Sequence, residues 1–155
     1  RKKVDALLVR DSHQDVIRSA AISFFGSVKS DKNYNRLKEL ASYGGTTWDA
    51  RPEAVSQLSR YAKEKRETID IFVNLLEDRS RDVRRRAIYA LASHGDKTHL
   101  GPLDEVMFKD PALGRDIRYA KKRILNPPKK PTRTPVEKKL EEANRKLDEI
   151  KRLLD

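Results

Sequence analysis

Along the first 125 positions apolar residues recur at steps of three and four, the spacing that lines one side of an α-helix. One such stripe is Val83, Ala87, Ala90, Leu91 and His94, and another is Ile117, Ala120, Ile124 and Leu125. Upstream the stripes are Ala50, Ala54, Leu58 and Tyr61, and Val16, Ala20, Phe24 and Val28, the last widened by Ala21 and Ile22. A second set alternates with these. Tyr34, Leu37, Leu40 and Ala41 mark a helix over 31–43, Ile69, Ile71, Phe72, Leu75 and Leu76 one over 67–77, and Leu103, Val106 and Met107 one over 100–109. Residues 4–9 form a truncated first member. Gly26, Gly44-Gly45, Gly95 and Pro111 punctuate the run. Period-two alternation and hairpin turns are missing from the pattern, so strands are not expected.

The helices come in pairs, and the pairs repeat. Asp15, Asp49, Asp82 and Asp116 each precede or open a stripe, spaced 34, 33 and 34 residues apart. Each Asp is expected to cap its helix, with its side-chain oxygen accepting from first-turn amides. Pro52 suits a first turn, where its missing N–H costs little. A unit of about 34 residues that buries its stripe only against a neighbour predicts an all-α stack of about three and a half repeats over 1–125. Tetratricopeptide units share that period but want a Trp, Gly and Tyr set that is missing here. The run Asp82-Val83-Arg84-Arg85-Arg86-Ala87-Ile88-Tyr89-Ala90-Leu91-Ala92-Ser93-His94-Gly95 instead resembles a HEAT repeat. The resemblance implies a right-handed α-α superhelix, a HEAT-like solenoid.

Residues 126–135 carry four Pro in ten positions and read as an extended linker. From 136 to 155 a heptad seam returns as Val136, Leu140, Ala143, Leu147, Ile150 and Leu154, predicting an amphipathic C-terminal helix. A lone helix of that length is marginal in water. It is therefore expected to pair with a second copy of itself or to dock on the repeats, the alternative being a frayed, charged tail.

Charge narrows the functional classes. The chain holds 35 Lys and Arg against 24 Asp and Glu, a net charge of +11, and +8 of that lies in residues 1–125. It has no Cys, hence no disulfide or thiolate chemistry, and no apolar run approaches the roughly 20 residues of a membrane span. With Arg at its first position and no signal-like opening, the chain reads as a piece of a longer, cytoplasmic protein. His13, His94 and His99 show no metal-ligand spacing, and no nucleophile–base pair or phosphate loop stands out, so neither catalysis nor a cofactor is expected within these residues.

The arginines are the stronger candidates. Arg51, Arg84 and Arg118 share one slot in successive repeats and should form a ladder. Its expected role is structural, each Arg pairing with Asp49, Asp82 or Asp116 of a neighbouring repeat. The functional alternative is a line of guanidinium groups that grips carboxylate or phosphate. Beside it lie two clusters, Arg79, Arg81, Arg85 and Arg86, then Arg115, Lys121, Lys122 and Arg123. These form either a solvated face or a basic surface for nucleic acid or acidic peptide. Trp48, after Gly44-Gly45-Thr46-Thr47, either stacks on a base or fills a seam between repeats, and the seam is the expectation.

The run Asp11-Ser12-His13-Gln14-Asp15-Val16-Ile17-Arg18-Ser19-Ala20-Ala21-Ile22 resembles the opening of the C-terminal helical-repeat domain of gluzincin-class zinc aminopeptidases. The helix end Ala41-Ser42-Tyr43-Gly44, the Arg51-Pro52 to Leu58 run and the Val83 to Ala87 repeat continue the likeness. It implies a non-catalytic domain that packs on a peptidase domain and limits access to its active site. In that setting the Arg ladder would receive the carboxylate end of a peptide. The zinc would belong to the parent enzyme, since nothing here matches the family's His-Glu-x-x-His helix. The partner would be the rest of the parent chain. The competing expectation is a basic scaffold for acidic proteins or nucleic acid.

Overall fold

The protein is described from a computed structural model, which covers residues 2–11, 13–128, 140, 142–146 and 149. Eight helices precede the linker: α1 (Lys2–Leu7), α2 (Val16–Ser27), α3 (Asp31–Ala41), α4 (Arg51–Leu58), α5 (Glu67–Leu75), α6 (Arg81–His94), α7 (Leu100–Lys109) and α8 (Gly114–Leu125). Among the described residues there is no strand, and no helix is long and apolar enough to cross a membrane. The even-numbered helices touch in succession, α2 on α4, α4 on α6 and α6 on α8. Their odd-numbered partners lie alongside, α1 and α3 on α2, α3 also on α4, α5 on α6, and α7 on α8. Within 136–155 the described residues are helical and exposed, and the expected self-pairing of that segment lies outside the described residues.

The core reveals a stricter register than the Asp spacing suggests. Ala21, Ala54 and Ala87 are buried at intervals of 33, as are Ile22, Val55 and Ile88, then Phe25, Leu58 and Leu91. Burying each of the larger side chains contributes roughly 1.5–3 kcal/mol. Arg18, Arg51 and Arg84 share this period. The stripe expected for α2 is therefore shifted: Val16 is 62% exposed, Phe24 is 40% exposed, and Ala20 also faces solvent. The cause is Asp15, which sits in the left-handed region at φ 53 and leaves two residues between itself and Arg18, where the later copies have one.

The leading aspartates do not cap as expected. Asp15 makes no side-chain cap bond, Asp49 lies outside α4 behind Ala50, Asp82 is the second residue of α6, and Asp116 is buried inside α8. Stronger partners claim three of the carboxylates: Arg18 and Thr47 for Asp15, Arg85 for Asp82, and Arg85 with Tyr89 for Asp116. A charge-assisted bond outweighs a first-turn amide. Capping falls instead to Ser30, whose hydroxyl accepts from the Asn33 amide, and to Asp96 and Asp110 at the short turns before α7 and α8.

At the other ends of the pairs, Tyr61 is buried and its hydroxyl donates to the Phe25 carbonyl at 3.0 Å, tying the end of α4 to the end of α2. His94 stands 33 residues later, half-buried at the end of α6. Burial, reinforced by the nearby Lys63 charge, holds its imidazole below the usual histidine range.

Candidate functional site

Three arginines knit the loops that join each odd helix to its even partner. Arg18 donates through Nε to the Leu8 carbonyl at 2.6 Å, pairs with Asp15 and Asp11, and reaches Thr47 Oγ1 at 3.1 Å in the α3–α4 loop. Arg51 donates to the Ala41 carbonyl at 3.1 Å and forks onto Asp78 in the α5–α6 loop, at 3.2 and 2.6 Å. Arg84 donates to the Asp78 carbonyl at 2.6 Å and to Asp110 in the α7–α8 loop at 2.7 Å. Each guanidinium thus holds the loop behind it and grips the next, so the four loops form one linked edge. The Arg51 and Asp78 side chains are only 4% and 7% exposed. Asp110 feels Arg84 and Arg81 together, and its carboxyl stays below the ordinary carboxylate range.

This relay corrects the expected ladder in two ways. Arg51 and Arg84 pair with Asp78 and Asp110, in the following loops, and not with Asp49 or Asp82. Arg118 is not a rung: the 33-residue register puts Ile117 in that slot, fully buried, and turns Arg118 outward. Because the relay guanidiniums are occupied by carbonyls and carboxylates, they have no capacity left for a ligand. Arg81 lends a second contact to Asp110 at 3.2 Å. Trp48 does not fill a seam; it is 72% exposed on the same edge, near Tyr43 at 71%, with Val9 and Phe108 at 80% and 89% on the α1 and α7 sides. Arg51 and Arg79 lie 5.6 and 5.3 Å from the Tyr43 ring centroid.

The remaining predicted residues meet on the outward face of α6 and α8. Here the repeat brings Arg85, Arg86 and Tyr89 beside Arg118, Tyr119 and Lys122, each 33 residues after its counterpart. The equivalent positions on α2 are Ser19, Ala20 and Ser23, and on α4 Pro52, Glu53 and Ser56. The Tyr89 and Tyr119 rings pack edge to face with centroids 5.8 Å apart, and both remain partly exposed. The Tyr89 hydroxyl donates to Asp116 at 2.7 Å, which pushes its own ionisation upward. Arg85 is shared between Asp116 and Asp82. Arg86, Arg115, Arg118 and Lys122 are exposed and form no ion pair with another described residue. The sequence pointed to the cations; the tyrosines were missed because their pairing depends on the 33-residue register.

Below this face lie two clefts. One of about 580 Å³ is lined by Arg123, Ser93, Lys97 and Lys63, among others, with Asp96 as its acidic member. The other, about 510 Å³, is lined by Lys63, Arg60, Lys29 and His94, among others. Arg123 lies 6.0 Å from the Tyr119 centroid, and its Nε is buried without an acceptor. Among the described residues no three His, Asp or Glu side chains converge as metal ligands. His13 is exposed, and His99 Nδ1 approaches the Asp96 carboxylate at 3.0 Å. Compared with known proteins, the chain matches no family model, no curated protein and no solved structure.

Proposed function

We propose that this chain is a HEAT-like solenoid serving as the non-catalytic helical-repeat domain of a larger enzyme, most consistent with a zinc aminopeptidase. The observation that carries the reading is the stapled loop edge. Asp11, Asp15 and Arg18, the residues behind the resemblance to the aminopeptidase domain, are the first clasp of the relay, and Arg51 and Arg84 are the next two. A rigid edge bearing Val9, Tyr43, Trp48 and Phe108 in the open suits docking on another folded body. The even helices touching in order support the solenoid. The buried relay does not favour the idea that Arg51 and Arg84 receive a peptide carboxylate. The zinc would reside in the parent's catalytic part, and no step is assigned to it here.

The test is the parent gene and its product. A His-Glu-x-x-His helix with a distant Glu upstream of Arg1 is expected. In the whole enzyme, Trp48→Ser with Phe108→Ser should loosen this domain, seen as faster limited proteolysis at its junction with unchanged domain melting. An upstream sequence without that motif ends the aminopeptidase reading.

A further inference from the structure

We propose that the outward face of α6 and α8, continuing through Arg123 into the adjoining clefts, binds single-stranded nucleic acid without sequence preference. This inference is independent of the aminopeptidase reading and rests on a different surface.

Three features point to that ligand. First, Arg86, Arg115, Arg118 and Lys122 surround the tyrosine pair and lack carboxylate partners among the described residues. Guanidinium and ammonium groups spread over two neighbouring helices suit the repeated phosphates of a polynucleotide chain. Second, the surface offers rings. Tyr89 is 39% and Tyr119 46% exposed, while the Tyr89 hydroxyl is committed to Asp116. What remains available there is an aromatic surface, which planar bases use by stacking and carboxylates do not. An acidic peptide would use the cations and leave the tyrosines idle. Third, Arg123 presents a buried Nε with no acceptor at the point where the tyrosine face meets the cleft beyond. An oxyanion there would satisfy it, and Lys63 and Arg60 extend the positive lining further. Bases must be unstacked to meet side-chain rings, so a single strand fits better than a duplex.

The test uses the full chain with fluorescently labelled twenty-residue oligo-dT and oligo-rU, followed by anisotropy across a salt series, with poly-glutamate and duplex DNA as competitors. Both oligonucleotides should bind, with affinity falling steeply with salt. Arg118→Ala with Lys122→Ala should make the log–log salt slope shallower by about 1.4, the share of two phosphate contacts on a single strand. Tyr119→Leu should weaken binding by at least about fivefold with the slope unchanged, and Tyr119→Phe should restore it. Circular dichroism and melting of each variant establish that the fold is intact. Poly-glutamate competing as well as oligo-dT, together with indifference to Tyr119→Leu, would overturn the proposal in favour of an acidic protein partner. A stronger preference for duplex would overturn the single-strand assignment. Failure of every polyanion to bind at low salt would make the face a solvated one.

Discussion

The loop edge and the α6–α8 face use the same side chain to opposite ends. On the edge, Arg18, Arg51 and Arg84 are withdrawn from solvent, and each meets at least one backbone carbonyl and a neighbouring loop. On the face, Arg86, Arg115 and Arg118 stand in water without a carboxylate partner among the described residues. The difference is one of register and not of composition. A side chain three residues before the conserved-period alanine of its helix, as Arg51 is before Ala54, points into the loop seam. One position later, at Arg85 or Arg118, it points outward. Position within a 33-residue period thus separates an arginine that holds the fold from one free to meet a ligand.

The sharpest way to break this contrast is Arg51→Ala. It leaves the buried Asp78 carboxylate without its guanidinium, and loss of one partner from a buried pair costs about 3–5 kcal/mol. Urea denaturation should show that loss, while the double change Arg51→Met with Asp78→Leu should recover much of it. Acid should act next, at Asp110. Its carboxyl is held below the ordinary range chiefly by the bond from Arg84, so its contribution is present above about pH 4 and fades as pH falls through the lower native value. Melting temperatures taken from pH 5 down to 2 should fall more steeply for the native chain than for Asp110→Asn. A smaller effect concerns His94. Its neutral form is favoured in the fold, so its contribution is complete above pH 6.5 and declines as pH falls below that value. Lys63→Ala should raise the His94 titration midpoint, read by proton NMR, without returning it to 6.5, because burial is the larger cause. Smallest of all, Arg118→Ala should leave stability within about 0.5 kcal/mol of the native chain by the same denaturation measurement. A loss like that of Arg51→Ala would show that Arg118 belongs to the relay after all.

Much of the helical layout was legible because apolar periodicity is local: α3, α5, α6 and α7 begin or end within a few residues of their predicted limits. The register of α2 was not. Aligning the copies on aspartate ignores the extra residue that Asp15 accommodates in its left-handed turn, and that one step moves Val16 and Phe24 from the core to the surface. The partners of Arg51 and Arg84 were also hidden. Asp78 and Asp110 lie 27 and 26 residues downstream in loops of different length, with no motif to mark them. Candidate cations could be read from composition, but which were already occupied required tertiary contacts. Trp48 illustrates the opposite case, an aromatic beside glycines that suggested a seam and proved to be open.

The relay also determines where the chain can be edited. Each arginine reaches backward within its own pair and forward into the next, so the natural module runs from one arginine to the residue before its successor. Removing residues 51–83 would place Arg84 directly after Ala50. Arg84 would then stand ten residues beyond Ala41, the separation Arg51 has now, with Asp110 still ahead of it. The buried alanine, isoleucine and leucine positions would stay in phase, since all share the period. A cut at the helix-pair boundaries drawn from the aspartates would separate each clasp from its catch. The fold is therefore modular in blocks offset from its visible pairs, and a shorter or longer array is best built by adding or deleting that offset block.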